Sequence, residues 1–354
     1  MAESTGAPAG PGLAARPESV GGRVTAPPGR TPPYRPPWWC RNRHLQTVWS
    51  VVRRGTLTGV TRERFETPDG DFVDVDWLPG PATAPLLLVL HGLEGAATSH
   101  YIGGLFRLAA SRGWRAGVLY FRSCSGELNR LPRFYHSGDT GDLDHVVRVV
   151  AEREPAVRLG AVGISIGGNV LLKWLGELRE SAPKALAGAA AISVPFDLEA
   201  CARTMDRGVP KVLYTARFMR TFRLKTRAKA RAFPGFVDLT AALRACTFAA
   251  YDRAVTAPLH GFADEVDYWR RASCGPYLAH IRRPTLLLNA LDDPFIPPSS
   301  LPDPHRLPPD VRAEFVPHGG HVGFVEGRPW RSASWAERRA VEFLAGVLDH
   351  GGVC

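Results

Sequence analysis

The stretch Gly163-Ile164-Ser165-Ile166-Gly167 constrains this chain more than any other. It follows a short apolar run, Leu159-Gly160-Ala161-Val162, of the length of a buried strand. It precedes the segment from Gly168 to Leu178, where apolar residues recur at helical spacing. The pattern is a strand, a sharp turn and a helix, with serine at the turn. Glycines there let two backbones pass where a Cβ would clash, and such a turn is strained. The serine hydroxyl would stand near a helix N-terminus, whose N–H groups stabilise an anion. Ser165 is therefore a candidate nucleophile. The plainer alternative is a small-residue turn that packs a helix on a sheet.

The rest of the chain alternates in the same way. Val60–Thr67 and Phe72–Leu78 read as antiparallel strands joined at Pro68-Asp69-Gly70. Strands are expected at Leu86–Leu90, Ala116–Phe121, Gly188–Ser193, Thr285–Asn289 and Arg312–Val316. Helices are expected at Asn42–Trp49, Ile102–Ser111, Asp142–Glu152 and Ser334–Leu348. Alternating strands and helices predict an α/β fold with a mostly parallel central sheet covered on both faces. Residues 195–278 interrupt the alternation with helical pieces and no core strand. An insertion there, after the serine turn, reads as a helical cap over a site. Residues 1–36 are rich in Gly, Pro, Ala and Arg and read as a disordered or polyproline-like lead-in to one domain spanning 37–354.

Composition bounds the partners. Of 354 residues, 45% are hydrophobic and 22% charged, which suits a core-forming chain. The formal net charge is +10 and the pI about 9.6. Seven basic residues crowd one stretch: Arg217, Arg220, Arg223, Lys225, Arg227, Lys229 and Arg231. A solvated helical face is the plain reading; peripheral docking to an anionic membrane surface is the sharper one. No nucleic-acid reader motif accompanies the charge, so nucleic-acid binding is not expected. The apolar runs are too short to span a bilayer, and no secretory signal is evident. The six cysteines are scattered without a C-x-x-C pair, which suits reduced thiols and a cytoplasmic location.

A serine nucleophile needs a base, an orienting acid and oxyanion donors. After the apolar run Leu286-Leu287-Leu288, two adjacent aspartates, Asp292 and Asp293, compete for the acid. They would lie beyond the carboxyl end of a parallel strand, where ligand crevices open. Pro317-His318-Gly319-Gly320-His321 supplies the base: His321 follows two glycines, whereas His318 falls at the strand end and is peripheral. The backbone N–H groups of Ile166 and Leu93 are the expected oxyanion donors, with His91 orienting the loop. Arg122 reads as an internal ion-pair partner. His136, Asp139 and Asp142 form a polar loop without convergent metal spacing, so neither a metal nor a cofactor is assigned.

These motifs agree in order with one family. His44-Leu45-Gln46-Thr47, His91-Gly92-Leu93-Glu94-Gly95, Phe121-Arg122, Cys124-Ser125-Gly126, Tyr135-His136-Ser137-Gly138, Gly163–Asn169, Asn289–Phe295 and Gly319–Phe324 resemble the YheT-like branch of the α/β-hydrolases. That branch includes serine esterases with an abhydrolase domain and yeast medium-chain ester synthase/esterases. The resemblance runs from Trp38 to the C-terminus. It implies a triad of Ser165, Asp293 or Asp292, and His321. It favours Asp293, because Asp293-Pro294-Phe295-Ile296-Pro297 resembles the Asp-x-x-Val/Ile-Pro run of many α/β-hydrolases. It implies cleavage of short- to medium-chain acyl esters or lipids through an acyl-enzyme. Transfer from acyl-CoA to an alcohol, and a catalytically silent binding protein, are the competing expectations.

Overall fold

The computed structural model describes residue 1, residues 31–52 and residues 57–349. Most of the lead-in expected at 1–36 lies outside the described residues. Its last part is irregular, yet Tyr34 is buried there. The Tyr34 hydroxyl donates to the Val325 carbonyl at 2.9 Å, and its ring packs on Phe324 and Trp335. The packed chain thus begins before position 37, because one aromatic ring anchors an otherwise proline-rich stretch.

Helix α1 (Arg43–Val52) leads into a hairpin of β1 (Thr61–Glu66) and β2 (Phe72–Leu78), paired Thr61 to Trp77 through Glu66 to Phe72. Then follow β3 (Leu86–Leu90), α2 (His100–Ser111), β4 (Arg115–Leu119), α3 (Gly141–Arg153), β5 (Leu159–Ile164), α4 (Ile166–Leu178) and β6 (Leu186–Ile192). The sheet closes with β7 (Thr285–Ala290) and β8 (Val311–Val316). Strand order is β1-β2-β4-β3-β5-β6-β7-β8, with β2 antiparallel to β4 and every later pairing parallel. The strands β3 and β5 are buried along their whole length. Covering on both faces explains their unbroken apolar sequences. The order reverses at β3, between β4 and β5, and crevices open at the carboxyl ends beside such a switch.

Between β6 and β7 the chain forms only helices and helical turns. These include α5 (Leu198–Met205), α6 (Ala216–Ala232), α7 (Leu239–Arg244) and α8 (Glu265–Ala272). Aspartates start three of them: Asp197, Asp238 and Asp264 each accept a backbone N–H three residues on. The insertion has small cores of its own, one around Met219, Tyr251 and Val255 and one around Tyr268 and Trp269. A terminal helix, α9 (Trp335–Leu348), packs with α2. A second hairpin, β9 (Val325–Arg328) and β10 (Arg331–Ser334), was not expected from sequence. Its strands are short and largely polar, so they lack the apolar alternation that marks a strand.

Candidate active site

Ser165 sits between β5 and α4 with φ 54° and ψ −120°. For a residue with a Cβ this backbone costs about 1–3 kcal/mol, a strain the surroundings must enforce. They do so by close approach. A Cβ on Gly163 would lie 2.6 Å from the Gly167 carbonyl oxygen, and one on Gly167 would lie 2.5 Å from the Leu90 carbonyl oxygen. The Ser165 N–H donates to the Ile192 carbonyl at 2.8 Å, tying the turn to β6.

His321 Nε2 lies 3.0 Å from Ser165 Oγ, and His321 Nδ1 lies 2.9 Å from Asp293 Oδ2. All three residues are buried. The other Asp293 oxygen accepts the Phe295 N–H at 2.8 Å. Phe295 stacks on the imidazole with centroids 4.0 Å apart. Asp292 turns the other way: it accepts the Gly320 N–H at 2.9 Å and faces the exposed His318 at 3.3 Å. Of the two adjacent aspartates, Asp293 is the one that reaches His321.

A family profile for the alpha/beta hydrolase fold matches residues 85–328. The YheT protein of Escherichia coli K12, which carries an esterase name, is 39% identical over 87% of this chain and 92% of its own length. The chain belongs to the α/β-hydrolase fold family. The phospholipase ABHD3 of Mus musculus is 28% identical over 91% of this hydrolase and 80% of its own length. Among solved structures, the Pyrococcus furiosus esterase Pf2001 shares the fold, with a TM-score of 0.54 and 16% identity. That alignment covers 83% of the hydrolase and 97% of the esterase.

The hydrolase holds its base loop through α1. Thr47 Oγ1 accepts the His321 N–H at 2.9 Å, and Gln46 Oε1 accepts the Val325 N–H at 2.8 Å. A Cβ on Gly320 would lie 2.5 Å from the Arg43 carbonyl oxygen, so the glycine lets the loop lie against the helix. Sequence reading noted His44-Leu45-Gln46-Thr47 without this role. The buried face of α1 is polar, with Gln46, Thr47 and Ser50 inward and Leu45 and Val48 exposed, so an apolar-face reading of the helix could not find it.

The loop after β3 approaches the serine closely. A Cβ on Gly92 would lie 3.4 Å from Ser165 Cβ. The Gly92 N–H donates to the Tyr101 hydroxyl, and the Glu94 N–H to the Tyr135 hydroxyl. Leu93 and Ile166 both line the cavity with Ser165. His91 is wholly buried. Its Nδ1 lies 2.7 Å from the Gly92 carbonyl oxygen, and its Nε2 accepts the Phe121 N–H. Burial pushes the His91 pKa down to about 4, so the ring is neutral and Nδ1 donates.

That cavity, of about 690 Å³, runs from Ser165 into the insertion. Phe218, Phe222, Phe248, Met205 and Leu198 give it an apolar wall. Within the wall, Lys225 of α6 ion-pairs with Glu94 at 2.8 Å and donates to Cys124 Sγ at 3.3 Å. Burial lowers the Lys225 pKa, but Cys124 and Glu94 outweigh it and the net shift is upward. Tyr135 also donates to Glu94 at 2.9 Å. Sequence reading placed Lys225 and Lys229 in a basic stretch; the structure turns both inward. Lys229 is buried and donates to Asn129 and Leu131.

Arg122 is buried and pairs with Asp69, Asp71 and Asp142, an internal network away from the serine. Asp142 belongs to that network. His136 and Asp139 instead meet His260 of the insertion, with one ligand atom of each within 4.8 Å of the others. Asp139 is already paired with Arg133, and Arg133, Lys173 and Arg271 make the surroundings of His136 cationic. That field opposes a further cation.

Proposed function

We propose that this α/β-hydrolase is a serine esterase that cleaves short- to medium-chain acyl esters through a covalent acyl-enzyme. The observation that carries the proposal is the unbroken line Ser165 Oγ, His321 Nε2, His321 Nδ1, Asp293 Oδ2, with steps of 3.0 and 2.9 Å between side chains. In the proposed reaction His321 takes the Ser165 proton as Oγ attacks the ester carbonyl. Asp293 holds the Nδ1 tautomer and stabilises the imidazolium that forms. The N–H groups of Leu93 and Ile166 receive the oxyanion, aided by the α4 dipole. His321 then protonates the leaving alcohol. Water, deprotonated by the same ring, releases the acid and restores the serine.

The apolar lining supports an acyl chain as the buried portion of the substrate. The esterase and phospholipase names of two relatives support ester and lipid substrates. Ser165→Ala tests the reading. Hydrolysis of p-nitrophenyl butyrate and octanoate should fall by about 10⁴-fold or more, while the melting temperature changes little, since alanine keeps the Cβ and the same strained turn. A fluorophosphonate probe should label the wild type at Ser165 and leave the variant unlabelled. Equal turnover by both proteins would overturn the proposal.

A further inference from the structure

The cavity reaches solvent where its lining residues are exposed: Val48 of α1, Thr98, and Leu213 and Arg217 of the insertion. Aliphatic side chains face water around this opening. Val212 is 79% exposed, Val209 57% and Leu213 46%, with Leu45 and Val48 of α1 each at 38%. Val212 and Leu213 lie side by side in the wide helical turn Lys211–Thr215. That turn is fastened to α1 by the His44 ring, whose Nδ1 lies 2.9 Å from the Tyr214 hydroxyl. The two segments therefore present their aliphatic side chains beside one opening.

Arginines flank these residues in the sequence. Arg41, Arg43, Arg207, Arg217 and Arg220 are exposed. Among the described residues no carboxylate is ion-paired with Arg207, Arg217 or Arg220. Within α6, Lys225 and Lys229 turn inward, while Arg217 and Arg220 near its start and Arg227 and Arg231 near its end face outward. Guanidinium groups suit lipid phosphates, and valine and leucine suit the boundary between headgroups and acyl chains.

We propose that this opening docks on an anionic lipid bilayer, with Val209, Val212 and Leu213 entering the acyl boundary and the arginines meeting headgroup phosphates. An ester's acyl chain then passes from the leaflet into the cavity without crossing water. The inference rests on the esterase reading for its purpose, and its test does not require turnover.

Full-length protein, wild type and Ser165→Ala, is sedimented with vesicles of phosphatidylcholine alone or mixed equally with phosphatidylglycerol. Both proteins should partition to the mixed vesicles and much less to phosphatidylcholine. One molar salt should weaken that binding by screening. Arg207→Glu with Arg220→Glu, and separately Val209→Asp with Val212→Asp, should each reduce binding by about tenfold or more. These four positions lie outside the cavity wall, so hydrolysis of soluble p-nitrophenyl butyrate should persist in both double variants. Equal binding to both vesicle types, no binding, or binding unchanged in the variants would overturn the proposal. So would a protein-concentration-dependent dimer that Val212→Asp dissolves, which would assign the surface to a second copy. Vesicle binding as expected, with esterase activity equal in wild type and Ser165→Ala, would overturn the esterase reading alone.

Discussion

Ser165, Asp293 and His321 stand on turns at the ends of parallel strands, and backbone N–H groups hold all three turns. Ser165 donates to Ile192, Asp293 donates to Ala290, and His321 donates to Thr47 Oγ1. The opposite wall of the cavity is the helical insertion, and side chains reaching across the sequence hold it in place. Lys225 meets Glu94, and Lys229 meets Asn129 and Leu131. Asn169 of α4 accepts from Cys274 N and donates to Ala272 O. A sheet edge fixed by strand register gives positions good to a fraction of an ångström. An insertion fixed by a few polar contacts can vary its lining without disturbing that edge. Under the proposed function, bond cleavage falls to the sheet edge and selection to the insertion.

The largest effect should therefore come from a single carboxylate at the sheet edge. Asp293→Asn should lower kcat by about 10³–10⁴-fold, because the amide favours the wrong imidazole tautomer. Asp292→Asn keeps an oxygen for the Gly320 N–H and should cost less than about tenfold. Steady-state kinetics on p-nitrophenyl butyrate separates them. Equal damage by both would break the claim that register alone selects the acid.

One contact crosses between the two regions. Glu94 follows the proposed donor Leu93, and its partner Lys225 comes from the insertion. Lys225→Met leaves the carboxylate buried and unpaired, which should shift the Leu93 N–H and cost about 10–100-fold in kcat. Lys225→Arg should keep most activity, and adding Glu94→Gln to Lys225→Met should recover part of the loss. A change confined to KM would show that the insertion is a wall and nothing more.

Selection should respond to the aromatic lining. Phe222 stacks on Tyr251 and faces Phe248 in the insertion. Phe222→Ala should lengthen the preferred acyl chain. Each added methylene that gains burial is worth about 0.8 kcal/mol, or roughly fourfold in kcat/KM. A series of p-nitrophenyl esters from butyrate to laurate reads this directly. A uniform loss across the series would place Phe222 with the catalytic framework instead.

Sequence legibility divides along the same line. The strands β2 and β3 appear at the bounds their apolar patterns predict, and β5 extends two residues past its expected end. The serine turn was legible because strand, glycines and helix are contiguous. The choice between Asp292 and Asp293 was not settled by the residues, since adjacent side chains diverge and only the path of the turn decides which meets His321. The wiring of the insertion was illegible for a different reason. Lys229 and Asn129 are 100 positions apart, and Lys225 and Glu94 are 131 apart. A basic run says nothing about which of its members turn inward. The role of Thr47 was hidden likewise, because its partner His321 lies 274 residues away.

The smallest effect should appear in stability rather than rate, and only in the insertion. Asp252 is buried beside the cavity, accepting from Trp269 Nε1 and Thr256 Oγ1. Burial, with Asp206 and Glu265 adding repulsion, pushes its pKa up to about 7. The folded insertion thus keeps a proton that the unfolded chain gives up near pH 4. Stability falls wherever the folded state binds more protons, so it should decline between about pH 4 and pH 7 and level off above. At about 1.4 kcal/mol per pH unit the ceiling is roughly 4 kcal/mol, and local relaxation should leave about 1–2. Hydrogen exchange at pH 5 and pH 8, corrected for intrinsic rates, should show easier opening of the amides of α8 at the higher pH. The amides of β5 and β7 should hold steady, since Ser165 and Asp293 follow strands whose buried side chains are apolar or uncharged. In Asp252→Asn the difference in α8 should vanish. If the strand amides loosened in parallel with α8, the two regions would be one cooperative unit, and catalysis and selection could not be varied independently.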